Sequence, residues 1–85
     1  MRDKRIENDL NIVNLLKIPI NVTVLVLKSC QNLRDIRALS RLFQLKYLLI
    51  INCLNVTSFE VFSKVSFCNL MELEIIGHED NRIMI

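Results

Sequence analysis

The sequence predicts a small α/β fold, with one short parallel β-sheet backed by 3₁₀ or short α-helical segments. Three observations predict it. The middle of the chain matches itself at an offset of 23 residues, as in Leu25 and Leu48, Cys30 and Cys53, Asn32 and Asn55. Inside each repeat, apolar residues fall two apart (Leu25 and Leu27, Leu48 and Ile50, Leu73 and Ile75), the period of a strand with one buried face. After each strand they fall three apart (Ile36, Leu39 and Leu42; Phe59, Phe62 and Val65), which suits a 3₁₀ or short α-helical return.

The offset of 23 also superposes Leu33 on Val56, Ile36 on Phe59, Leu39 on Phe62 and Ser40 on Ser63. Carried backwards, it places Leu33, Ile36 and Leu39 on Leu10, Val13 and Leu16. Carried forwards, the spacing becomes 25, and Leu48, Ile50 and Cys53 land on Leu73, Ile75 and His78. The expected organisation is one domain, 1–85. It divides into a polar tail or degenerate cap (1–9), a partial repeat (10–21), full repeats at 22–44 and 45–69, and a partial repeat (70–85). Positions 2, 4 and 7 hold Arg2, Lys4 and Glu7 where the pattern asks for Leu, Leu and Cys, so no strand is expected there.

The recurring string Leu-x-x-Leu-x-Leu/Ile-x-x-Cys-x-Asn-Leu/Val, carried by residues 22–30 and 45–53, resembles the cysteine-containing variety of the leucine-rich repeat. The likeness covers about residues 10–80, with His78 departing from the cysteine. It implies a solenoid whose strands line a concave side and whose helical segments line a convex side. It also implies partner contacts through the outward strand positions: Val24, Val26 and Lys28, then Tyr47, Leu49 and Ile51, then Glu72, Glu74 and Ile76. The residues give a physical reason for the same choice. Val26, Leu49, Ile51 and Ile76 would form a contiguous apolar patch, and Tyr47 is a typical interface anchor. A sheet face covered by neighbouring chain is the competing reading. Repeats of this kind need about three or more neighbours for stability, so a longer protein or a stabilising partner is expected.

Composition narrows the function classes. Gly 1 and Pro 1 leave too little turn punctuation for a hairpin-rich sandwich. Eleven basic and nine acidic residues, net +2, are too balanced for nucleic-acid binding by bulk charge. The single Tyr offers no base-stacking series. Arg34, Arg37, Arg41 and Lys64 would give the convex side some positive charge, with Arg37 and Arg41 one turn apart if that segment is α-helical. The longest uncharged runs, 18–27 and 47–59, fall short of the roughly 20 residues of a membrane span. The charged opening segment is not a secretory signal, and the cysteine count is odd. Reduced thiols and an intracellular, cytoplasmic or nuclear, setting are expected, and the sequons at Asn21 and Asn55 are read as chance.

No metal, cofactor or small-molecule substrate is expected. Cys30, Cys53 and His78 would share one column, but a straight ladder is not tetrahedral. A Cys30–Cys53 disulfide is disfavoured by compartment. Cys68 and His78 are the only conceivable nucleophile and base, and nothing in the sequence orients them. Asn32 and Asn55 are expected to bond turn backbone, with Cys30 and Cys53 filling the inner corner. The reading is therefore a protein-binding module and not an enzyme. The alternatives are a piece of a ubiquitin-ligase substrate receptor or a repeat remnant without autonomous function.

Overall fold

The computed structural model describes residues 2–64, 67 and 69–77. It contains strands β1 (Asp3–Glu7), β2 (Val24–Lys28), β3 (Tyr47–Ile51) and β4 (Glu72–Ile76), a 3₁₀ helix at Arg37–Arg41 and one short α-helix, α1 (Val61–Lys64). The strands form a single sheet in the order β1-β2-β3-β4, and every neighbouring pair is parallel. Register carries Lys4, Leu25, Leu48 and Leu73 along one row and Ile6, Leu27, Ile50 and Ile75 along the next.

The alternation of side chains across a strand decides which face is buried. Leu25, Leu27, Leu48, Ile50, Leu73 and Ile75 enter the core, and they share one cluster with the buried residues of the returns, including Leu33, Ile36, Leu39, Leu42, Leu45 and Val56. Each return therefore packs on the same side of the sheet. Successive backbone bonds bend each return three residues at a time. Ile36, Leu39, Leu42 and Leu45 are linked in this way, Leu39 N donating to Ile36 O at 3.1 Å and Leu42 N to Leu39 O at 3.0 Å. Eclipsed i, i+3 side chains then stay on the inner side of the bend.

Each strand ends on a residue with left-handed backbone: Asn8 (φ 55°), Ser29 (φ 53°), Asn52 (φ 53°) and Gly77 (φ 98°). The amide just past each of the first three strands donates to the last carbonyl of the next strand: Asn8 N to Lys28 O, Ser29 N to Ile51 O, Asn52 N to Ile76 O. Asn and Gly tolerate this conformation best. At Gly77 the requirement is also spatial, because a Cβ would collide with the Asn52 side chain and lie 3.1 Å from Asn52 Cα.

The amino-terminal region differs from the expectation. Residues 3–7 are a strand, paired residue for residue with β2. Leu10, Val13 and Leu16 are not core: they are 59, 52 and 59% exposed, while Leu15, Ile18 and Val22 are buried. The cause is length. β1 and β2 are 21 residues apart, β2 and β3 are 23 apart, and β3 and β4 are 25 apart. A fixed offset of 23 therefore rotates the first return off its buried face. In the third return, Val61 takes the buried position and Phe59 and Phe62 are partly buried against the core. The rings of Phe59 and Phe62 stack at 6.5 Å between centroids, and Phe62 meets Phe67 at 5.7 Å. Val65 lies outside the described residues.

Two stability predictions follow from this core. Leu39→Ala, emptying a fully buried site, is expected to cost about 2–5 kcal/mol, whereas Leu16→Ala should stay within about 0.5 kcal/mol of the parent; urea denaturation measures both. Gly77→Ala should lower the denaturation midpoint, and adding Asn52→Gly should restore part of the loss by clearing the space that the new methyl group enters.

Candidate functional site

The nine outward positions foreseen as partner contacts lie on β2, β3 and β4, opposite in parity to the core residues of the same strands. Adjacent strands place them in three rows. Val24, Tyr47 and Glu72 make the first, Val26, Leu49 and Glu74 the second, and Lys28, Ile51 and Ile76 the third. β1 extends the rows with Asp3, Arg5 and Glu7, which the sequence reading left out. Glu7 and Lys28 form an ion pair at 3.9 Å across that extension.

One outward residue departs from expectation. Val26 is only 8% exposed, although it is not part of the core cluster. It is a short β-branched side chain whose row neighbours, Arg5 and Leu49, are both longer. The exposed apolar surface is carried by Leu49, Ile51, Ile76 and the ring of Tyr47. Over β2–β4 the face dips into a hollow of about 250 Å³, lined by residues of all three strands that include Val24, Val26, Tyr47, Leu49, Glu72 and Glu74. That volume is below the roughly 300–1,000 Å³ of small-molecule pockets. It suits an inserted side chain better than a free ligand.

Behind the sheet, the side chains of Cys30 and Cys53 are fully buried. Cys30 Sγ lies 3.6 Å from both Ile6 O and Lys28 O, and Cys53 Sγ lies 3.6 Å from Leu27 O and 3.5 Å from Ile51 O. Each thiol thus reaches its own strand's last carbonyl and a carbonyl on the preceding strand. Burial pushes the Cys53 thiol up to about 11, the reverse of what a nucleophile or metal ligand needs. His78 and Cys68 lie outside the described residues. Among the described residues no three His, Cys, Asp or Glu side chains converge as a metal site. Asn32 Nδ2 donates to Leu10 O at 2.7 Å, and Asn55 Nδ2 donates to Gln31 O, so both asparagines tie one return to the one before it.

Three of the four basic residues foreseen on the convex side, Arg37, Arg41 and Lys64, are engaged within the chain. Arg37 pairs with Asp35 at 2.8 Å, and the side-chain hydrogen bonds from Arg37 hold the Asp35 carboxyl down at about 2. Arg41 Nη1 reaches Leu16 O at 3.4 Å, and Lys64 pairs with Glu60 at 3.5 Å. The segment Arg37–Arg41 is 3₁₀ and not α, so Arg37 and Arg41 point about 120° apart and form no shared phosphate clamp. No helix among the described residues is long and apolar enough to cross a membrane.

Fold and site together define a small all-parallel sheet, covered on one face by its own returns and, among the described residues, open on the other. No protein-family model matches the chain, and comparison with curated proteins and with solved structures found no match.

The thiol geometry has a measurable consequence. In a Cys68→Ser variant, Cys30 and Cys53 should react with a chromogenic disulfide reagent at pH 8 far more slowly in the native chain than in urea. Because Cys53 holds its proton longer when folded, the stability it contributes below its ordinary 9.0 should be lost as pH rises towards about 11. Rapid native labelling at pH 8 would contradict this.

Proposed function

We propose that this chain is a stretch of leucine-rich-repeat solenoid whose open sheet face binds another protein. One observation carries the reading. Parallel sheets are almost always covered on both faces, and here none of the described returns crosses to the face of Val24, Tyr47, Leu49, Ile51 and Ile76. Leu49 in the middle of β3, with Ile51 and Ile76 at the strand ends, makes that face partly apolar, which favours burial by a partner. Repetition supports the solenoid part of the reading. The left-handed strand ends, the buried thiols and the cross-return asparagines each recur at equivalent positions.

The proposed activity is therefore recognition and not catalysis. A role as part of a ubiquitin-ligase substrate receptor would use the same face, and nothing in the fold favours it over other protein-binding roles. The test compares the parent chain with Leu49→Glu, an outward substitution that leaves the core untouched. Both are immobilised, and retained proteins are quantified by mass spectrometry. Proteins held by the parent are expected to be lost from the variant while the far-UV circular dichroism spectra coincide. Identical retention on both would show that the open face is not the binding surface.

A further inference from the structure

The open face differs in charge from the chain that carries it. Its outward positions hold the carboxylates of Asp3, Glu7, Glu72 and Glu74 against the cations of Arg5 and Lys28, while the whole chain is +2. Glu7 and Lys28 neutralise each other at 3.9 Å. Asp3 and Arg5 lie two apart on β1, at the far edge from the hollow. Glu72 and Glu74 have no cationic partner among the described residues. The uncompensated negative charge of the face therefore sits on β4, among the residues that line the hollow.

The spacing is that of a two-point contact. Residues two apart on one strand are about 7 Å apart, and neighbouring strands are about 4.8 Å apart. Tyr47 is the row partner of Glu72, and Leu49 is the row partner of Glu74. A cation above Glu72 therefore also lies within reach of the Tyr47 ring, whose face attracts positive charge. Salt screens exposed charges over about 10 Å at 0.1 M. An approaching segment consequently responds to these local carboxylates more than to the positive total of the chain.

We propose, on the footing of the protein-binding reading above, that the partner is a peptide segment pairing an apolar anchor with flanking Lys or Arg residues, the anchor entering the hollow beside Leu49 and the cations meeting Glu72 and Glu74. Charge then selects the partner and burial of the anchor holds it. This division is common at interfaces, where complementary charge acts mainly on specificity and encounter.

Two fluorescein-labelled probe peptides with the same central Phe-Ser-Leu, one flanked by lysines and the other by glutamates, test this on the full chain by fluorescence anisotropy. The lysine-flanked probe is expected to bind about five- to tenfold more tightly, from two partly screened charge pairs, and to lose that advantage as salt is raised. Glu72→Lys combined with Glu74→Lys should invert the preference. Glu60→Lys, away from the face, should leave it unchanged; an equal shift from that variant would assign the effect to net charge and overturn the proposal. Equal binding of both probes, abolished by Leu49→Glu, would overturn the charge selection while leaving the face as the binding surface. Binding of neither probe would overturn the peptide proposal alone, whereas probe binding indifferent to Leu49→Glu would remove both readings. Concentration-dependent self-association in sedimentation that excludes the probes would assign the face to a second copy and also overturn the proposal.

Discussion

At the start of β2, β3 and β4, two consecutive amides share the carbonyl of the residue just before the preceding strand. Thr23 and Val24 donate to Arg2 O, Lys46 and Tyr47 to Thr23 O, and Met71 and Glu72 to Lys46 O. This shared bond fixes where each strand begins relative to the last, and the strand-end amides of Asn8, Ser29 and Asn52 fix where it stops. A strand pinned at both ends has no freedom to slip. Slippage by one residue would turn Leu25, Leu48 and Leu73 outward and carry the outward row into the core. Register is therefore the constraint on which both the buried and the open faces depend.

Burial enforces the same register from behind. The corner thiols of Cys30 and Cys53 sit beside carbonyls of two adjacent strands, and Asn32 and Asn55 tie each return to its predecessor. The asparagines satisfy turn carbonyls, Leu10 O and Gln31 O, whereas the thiols lie against strand carbonyls of which Lys28 O and Ile51 O already accept a backbone amide. The apolar residues between them close the interior in steps of three. An otherwise turn-poor sequence can thus reverse direction repeatedly with a single glycine, because Asn and Ser accept left-handed backbone at the other strand ends.

Much of this was legible in the sequence, for physical reasons that also explain what was not. β2, β3 and β4 were readable because alternation of side chains follows directly from extended backbone, and parity then placed all nine outward residues. β1 was hidden because its inward positions hold Lys4 and Ile6, only one of them apolar, so the hydrophobic signal vanished there. A signal did exist: Asn11-Ile12 echoes Asn32-Leu33 and Asn55-Val56 and marks the shorter spacing. The low exposure of Val26 was not readable, because it depends on neighbours from other strands. The 3₁₀ geometry of Arg37–Arg41 likewise separates two arginines that α-helical spacing would have aligned.

The unequal spacings have a wider consequence. Returns of different length deliver the chain to the same place on the next strand, so length and register are uncoupled in this fold. Residues can be added to the outer bends or removed from them without redrawing the opposite surface. A surface built in this way can drift in sequence one side chain at a time while its scaffold absorbs insertions elsewhere. The outward face and the architecture behind it are thereby free to change independently.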